Sequence, residues 1–192
     1  MSRENTFRAI AVLAAFGCVA AGHAVRAEDA PTSDAQKIME LTVVEVVAVL
    51  KAAERSSAER RGALEQIAYE RFDFKTMARL VLAKNWKRLS KDQQGEFVGE
   101  FRLYLANDYG SRLERYNQED VAVVGERDEP RGDVTVKTKI VGGKNDGALV
   151  DYRMRKRKSG WKIIDVVIEG ISLVANFRDQ FREVIGSSGT GP

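Results

Sequence analysis

The segment at residues 160–185 is the part of this chain that most constrains its fold. Residues 161–168 are mostly aromatic and β-branched, which is typical of a largely buried strand. Glu169-Gly170 interrupts the strand, and Ser172 is a suitable N-cap for a following helix. The apolar residues after it recur at spacings of three, four and three, as on one helical face: Val174, Phe177, Phe181 and Val184. The segment therefore predicts a sheet with a helix folded back on it.

Residues 1–27 are predicted to be a secretory signal peptide, and this removes them from the fold. Two arginines precede an apolar run at residues 9–21, and small residues lead up to Ala27. The apolar run is too short to span a bilayer permanently. Cleavage after Ala27 is predicted, with Ala24 as the second choice. Lipid attachment at Cys18 is the alternative, which the preceding residues fit poorly.

Cleavage also limits the chemistry that the mature chain can carry. Cys18 and His23 are the only cysteine and histidine, and both lie in the signal peptide. The mature chain then has no disulfide, thiol nucleophile or histidine ligand, which for an exported protein indicates a bacterial periplasm. The signal also removes three basic and one acidic residue, leaving 28 Lys and Arg against 27 Asp and Glu. Overall charge therefore gives no argument for nucleic-acid binding.

Four helices are predicted before the sheet, each with its own start signal. The N-cap signals are Ser33 with Gln36, Ser56 with Glu59, Asp73, and Ser90 with Gln93. The first helix contains the unusually apolar stretch LTVVEVVAVL at residues 41–50. The fourth helix is the longest, and its apolar stripe consists of Phe97, Phe101, Tyr104, Leu105 and Tyr109.

From residue 117 onwards the apolar period drops to two, which predicts strands. Short turns at residues 129–132, 142–147 and 158–160 connect them, so the strands form an antiparallel meander of about four. One face is apolar and the other polar, so helices cover one side only. The prediction is an α+β fold with a twisted antiparallel sheet, in a single domain at residues 28–186. Residues 187–192 are predicted to be a flexible tail.

Three segments together resemble a known protein family. They are FDFKTMARLVLAKNW (72–86), EFVGEFRLYLANDYG (96–110) and WKIIDVVIEGISLVANFRDQF (161–181). They look like the MlaC-type periplasmic phospholipid-binding proteins, also called the toluene-tolerance auxiliary family. The resemblance covers nearly the whole mature chain, and its most specific part is IEGISL with the following NFRDQF.

The resemblance implies a deep apolar pocket and a role in lipid transport that maintains outer-membrane lipid asymmetry. It implies phospholipid as cargo, with no cofactor and no enzymatic activity. It also implies two partners, an inner-membrane ABC transporter with a ring of lipid-binding domains and an outer-membrane lipoprotein–porin complex. A related branch is associated with hopanoid biosynthesis, so a hopanoid or another apolar lipid is an alternative cargo.

The candidate lipid-binding residues are the apolar side chains on the predicted helix and strand faces. Periodicity does not separate a cavity wall from a filled core, so each residue has ordinary core packing as its alternative. The candidates are Val43, Val47, Leu50, Met77, Leu80, Phe97, Phe101, Tyr104, Leu105, Val136, Val150, Tyr152, Met154, Phe177 and Phe181.

Two polar features need a separate interpretation. The basic run at residues 153–158 is either a patch that attracts lipid phosphate or an acidic partner, or a solvated strand end. Asp165 lies inside the buried strand, where a carboxylate must be paired or hydrogen-bonded. It is predicted either to hold a corner of the sheet or to pair with Arg178. A rival hypothesis makes Asp165 and Tyr152 the acid–base pair of an enzyme on a similar cone-shaped fold. The absence of any metal-ligand cluster in the mature sequence argues against an enzyme.

Overall fold

The computed structural model describes residues 33–113 and 119–188, which form helices followed by an antiparallel sheet and a final helix. The predicted signal peptide lies outside the described residues, as do residues 189–192 of the predicted tail. The α+β class is confirmed. Within the described residues the helices are α1 (Asp34–Lys51), α2 (Ser57–Arg71), α3 (Phe74–Leu82), a 3-10 helix (Ala83–Arg88), α4 (Lys91–Leu113) and α5 (Leu173–Ser188). None of these helices is both long and apolar enough to cross a membrane.

The predicted capping signals start the helices where expected. The Ser56 backbone N–H donates to the Glu59 carboxylate at 2.8 Å, and the Glu59 N–H donates to Ser56 Oγ at 3.3 Å, so this capping box is complete. Ser33 Oγ accepts from the Gln36 N–H, but the Gln36 side chain donates to a later glutamate within α1. The first box is therefore only half formed, because a partner one turn ahead competes for the glutamine amide.

The sheet has five strands rather than the predicted four, in the order of the chain and antiparallel throughout. The strands are β1 (Asp120–Glu129), β2 (Asp133–Val141), β3 (Leu149–Arg157), β4 (Gly160–Ile168) and β5 (Ile171–Ser172). Strand β5 has only two residues, so it is too short to show a period in the sequence. Glu169 and Gly170 both have positive φ, at 48° and 79°, which makes them the tight turn between β4 and β5.

Helix α1 runs antiparallel to β1 across one face of the sheet. Ser33, at its start, donates a side-chain hydrogen bond to Glu126, and Lys51 Nζ, at its end, pairs with Asp120 at 2.9 Å. The first half of α1 therefore lies beside the middle of the sheet. Its second half lies beside the end where β2 finishes and β3 begins.

Helices α3, α4 and α5 pack on one another beside the edge of β4. The Asp73 carboxylate caps α3 by accepting from the Thr76 N–H at 2.9 Å, as predicted. The Asp73 N–H donates to the carbonyl of Ile163 at 2.9 Å, which attaches the start of α3 to β4. The molecule thus has two apolar interiors, one between α1 and the sheet and one among the later helices.

Candidate functional site

Eight of the fifteen candidate residues meet in what we call the helical cluster, among α3, α4 and α5. Their aromatic rings are in direct contact. Phe97 lies 5.2 Å from Phe181 between ring centroids, and Phe101 lies 5.4 Å from Phe177, both edge to face. Tyr104 also contacts Phe177, but more than half of its surface is exposed. The eight are Met77, Leu80, Phe97, Phe101, Tyr104, Leu105, Phe177 and Phe181.

The closed part of the α1–sheet interface holds only two of the candidates, Val136 and Met154, whose exposed fractions are 0% and 1%. Ala35 and Met39 of α1 pack in the same cluster and are equally buried. Protein surrounds all four side chains. Ligand contact with Val136 or Met154 would require α1 to separate from the sheet.

The remaining five candidates lie at the other end of the same interface, in what we call the apolar wedge. It consists of Val43, Val47 and Leu50 on α1 with Val150 and Tyr152 on β3, and all five are only half-buried. On β3, Met154 is buried, whereas Tyr152 and Val150 on the same side of the strand are half-buried. The interface is therefore packed at the start of α1 and opens towards its end.

Tyr152 brings a polar group into this wedge. It lies next to Val136 across the strands, and part of its surface remains accessible. Its hydroxyl has no hydrogen-bond partner among the described residues. Burial raises the pKa of Tyr152 to about 12, so the neutral phenol is strongly favoured in the folded protein.

The raised pKa gives a first prediction about alkaline stability. The unfolded chain ionises Tyr152 near pH 10, whereas the folded protein resists ionisation until about pH 12, so stability falls as the pH rises through this range. Tyr152→Phe should remove this part of the loss. We expect wild type to lose roughly 1 kcal/mol more free energy of unfolding than the variant between pH 9 and pH 11, measured by urea titration. Equal losses in both proteins would contradict the assignment.

Asp165 caps α5 and does not pair with Arg178, so that predicted pair is wrong. The Ser172 hydroxyl donates to Asp165 Oδ2 at 2.6 Å, and the Val174 N–H donates to Oδ1 at 3.0 Å. Arg178 instead donates its Nε–H to the carbonyl of Leu80 at 2.9 Å. The buried carboxylate is thus satisfied by the helix start that follows it in the chain.

The rival acid–base pair does not share one site. Asp165 lies opposite Arg153 across the β3–β4 pair, and Tyr152 precedes Arg153 along β3. Because successive side chains alternate between faces, Asp165 and Tyr152 point to opposite faces of the sheet. Nor does the described part of the chain group three or more possible metal-ligating side chains.

The three arginines of the basic run at residues 153–158 pair with two aspartates. Arg155 donates two hydrogen bonds of 2.6 Å to Asp133, and Arg153 approaches the same carboxylate at 3.1 Å. Arg157 pairs with Asp73 at 2.8 Å. Burial by itself raises the pKa of the Asp133 carboxyl, but the Arg155 hydrogen bonds and the two arginine charges outweigh it and hold that pKa below its usual range. Arg153 and Arg155 therefore link β3 to β2, and Arg157 links β3 to the start of α3.

Two clefts lie where the sequence analysis placed no site, on either side of the 3-10 helix. One is about 340 Å³, with Phe181 and Ile185 from α5 and Lys84 in its lining. The other is about 550 Å³, and its lining includes Trp86 and Lys87. Of the fifteen candidates only Phe181 lines either cleft. The sequence contains one feature that marks this region as distinctive: residues 79–91 include five cations and no aspartate or glutamate.

Comparison with known proteins gives consistent results. The sequence model of the family described as "MlaC protein" matches residues 40–191. The toluene tolerance protein ttg2D of Pseudomonas putida is 27% identical over 112 residues, an alignment that spans 57% of this chain and 51% of that protein. The chain thus spans about half the length of this curated relative.

A solved structure shares the fold over most of both chains. It is a phospholipid-binding protein from Ralstonia solanacearum, determined in complex with a phospholipid. The two structures align with a TM-score of 0.73 at 25% sequence identity, covering 82% of this chain and 90% of the other.

Proposed function

The chain belongs to the MlaC family, and we propose that it is a carrier that binds the acyl chains of a phospholipid in the apolar wedge. The wedge carries the proposal because its two walls are apolar and only half-buried, and because Val43 and Tyr152 make it continuous with the closed cluster between α1 and the sheet. Its α1 wall is Val43, Val47 and Leu50, and its β3 wall is Val150 and Tyr152. The phospholipid bound by the Ralstonia protein of the same fold supports this class of cargo.

Such a carrier needs a large apolar lining and few specific polar groups. Each buried methylene is worth about 0.8 kcal/mol, so two acyl chains of about 14 methylenes each resist exposure to water by on the order of 20 kcal/mol. The apolar surface area that the acyl chains bury against the walls of the wedge therefore dominates the binding free energy. The Tyr152 hydroxyl is the one polar group that we assign to the wedge, and in its neutral form it is a hydrogen-bond donor for an ester oxygen of the cargo.

The wedge must widen to hold two chains, and the attachment of α1 allows this. Its polar contacts to the rest of the molecule include the Ser33–Glu126 hydrogen bond and the exposed Lys51–Asp120 pair. Glu45 also pairs with the half-buried Arg71 at 2.7 Å, and this pair must open for the second half of α1 to move. Exposed ion pairs are worth about 1 kcal/mol or less each. The second half of α1 can then move away from β3 at a small cost compared with the gain from burying acyl chains.

We further propose that this carrier works in the periplasm between two membrane complexes. An acyl chain is too costly to expose in the aqueous gap, so loading and release must occur while the wedge is docked at a membrane-bound partner. The proposed partners are an inner-membrane ABC transporter with a ring of lipid-binding domains and an outer-membrane lipoprotein–porin complex. Export by the predicted signal peptide would place the chain between them.

Native mass spectrometry of the exported protein, purified without detergent, tests the cargo directly. We expect a mass shift of one phospholipid, and the same lipid should appear in an organic extract of the sample. As a second measurement, delipidated protein should extract labelled phospholipid from vesicles. A hopanoid mass would assign the alternative cargo. Protein that is empty in the first measurement and inactive in the second would contradict lipid carriage.

A further inference from the structure

We propose that the surface around the 3-10 helix binds the anionic surface of a lipid bilayer. We call this surface the basic ridge. It consists of the cations between residues 79 and 91, a stretch without an aspartate or glutamate. All five cations are exposed: Arg79, Lys84, Lys87, Arg88 and Lys91. The inference concerns how the chain meets a membrane and goes beyond the proposed carriage of lipid.

The described part of the chain supplies no counter-charge to the ridge. Among the described side chains, at residues 33–108 and 119–185, none of the five cations has an ion-pair or side-chain hydrogen-bond partner. Elsewhere the arginines of the sheet are neutralised, as in the pairs of Arg155 with Asp133 and Arg157 with Asp73. Residues 28–192 carry 28 Lys and Arg against 27 Asp and Glu, so five cations without an acid in a stretch of 13 residues are a local excess of positive charge. Such a surface attracts anionic lipid at about 1 kcal/mol per cation.

Apolar side chains beside the ridge favour a bilayer over an acidic protein surface. The smaller cleft joins Lys84 of the 3-10 helix to Phe181 and Ile185 of α5. Ile185 is 38% exposed and its neighbour Val184 is 58% exposed, so apolar groups reach solvent next to the cations. Peripheral proteins bind lipid interfaces in this way: their cations lie at the lipid phosphates, and their apolar groups lie at the boundary of the acyl chains.

The test is co-sedimentation of the exported protein with vesicles of phosphatidylcholine, with and without phosphatidylglycerol. Binding should require phosphatidylglycerol and should weaken strongly in about 1 M salt, where the Debye length is about 3 Å. The variant Lys84→Glu/Lys87→Glu/Lys91→Glu should bind at least about 100-fold more weakly, at about fivefold per lysine. The milder Lys87→Gln/Lys91→Gln should bind about 25-fold more weakly.

A matched triple variant separates this surface from general charge effects. Lys144→Glu/Lys156→Glu/Lys158→Glu makes the same charge change at exposed lysines of the sheet loops and of the β3–β4 hairpin. It should keep vesicle binding within about threefold of wild type, since its lysines lie outside the ridge. Circular dichroism and thermal unfolding confirm that each variant is folded.

Three results would overturn the proposal: no binding of wild type to anionic vesicles, equal losses in the two triple variants, or binding that salt does not weaken. Binding to polyglutamate without binding to vesicles would assign the ridge to an acidic protein instead. The outcome is independent of the cargo measurement, because lipid bound in the wedge is detected by mass whether or not the ridge binds vesicles.

Discussion

Replacing Asp133 by alanine is expected to lower the free energy of unfolding by about 3–5 kcal/mol. The Asp133 side chain is completely buried and is the shared partner of Arg153 and Arg155. Its removal leaves two guanidinium groups without their counter-charge, and this uncompensated charge is what makes breaking such a pair costly. Urea denaturation followed by circular dichroism measures the loss.

The control for Asp133→Ala is Asp120→Ala, which breaks the exposed pair with Lys51. Both partners of that pair are about half exposed or more, so the loss should stay within about 1 kcal/mol. A loss at Asp133 as small as that at Asp120 would contradict the role of the buried pair.

The pH dependence provides a second check on Asp133. Its pKa is held below the usual value, so its contribution to stability is present above about pH 4 and is lost as the pH falls through the folded-state pKa. The stability difference between wild type and Asp133→Ala should therefore shrink in acid. A difference that is constant with pH would show that the lost stability comes from packing alone.

Asp133 also shows where sequence reasoning stops. The basic run at residues 153–158 is obvious in the sequence, but its neutralisation depends on the strand register that sets Asp133 opposite Arg155. That pair is 22 residues apart and crosses a loop, so no local pattern contains it. Asp165 shows the same limit of sequence reasoning at a shorter separation. Its partner Ser172 becomes a spatial neighbour only because the chain turns at Glu169-Gly170.

Local signals, by contrast, were sufficient to predict the longer helices and strands. The capping box of Ser56 and Glu59 involves residues three apart, and the alternation along β2 places Val136 inward. The period of the apolar residues in a helix or strand indicates which face is buried, but it does not indicate which element packs on that face. For this reason the sequence joined Phe101 and Val136 in one candidate lining, whereas the structure assigns them to separate interiors.

This division leads to the second large prediction, that Val150→Asp abolishes lipid loading in a protein that still folds. Val150 is half-buried in the apolar wedge, so water can still reach an aspartate there in the empty protein. In the loaded protein the carboxylate would lie against acyl chains without a partner, at a cost of several kcal/mol. We expect at least about 100-fold weaker retention of labelled phospholipid in competition with vesicles.

Val124→Asp is the matched control, since it makes the same substitution in the same sheet at a residue that is 54% exposed. Loading and stability should both stay near the wild-type values, because exposed substitutions usually change stability by no more than about 0.5 kcal/mol. Urea denaturation of all variants separates loss of loading from loss of folding.

Phe181→Asp then decides between the two apolar interiors. Phe181 is half-buried in the helical cluster, lines the smaller cleft and packs 5.2 Å from Phe97 between ring centroids. If the acyl chains occupy the wedge, Phe181→Asp lowers stability but its folded fraction still loads lipid. Val150→Asp then keeps its stability but does not load lipid. The opposite result, normal loading by Val150→Asp and none by folded Phe181→Asp, would move the cargo into the helical cluster. The contacts of Phe101 with Phe177 would then have to separate for an acyl chain to enter the cluster beyond the cleft that Phe181 lines.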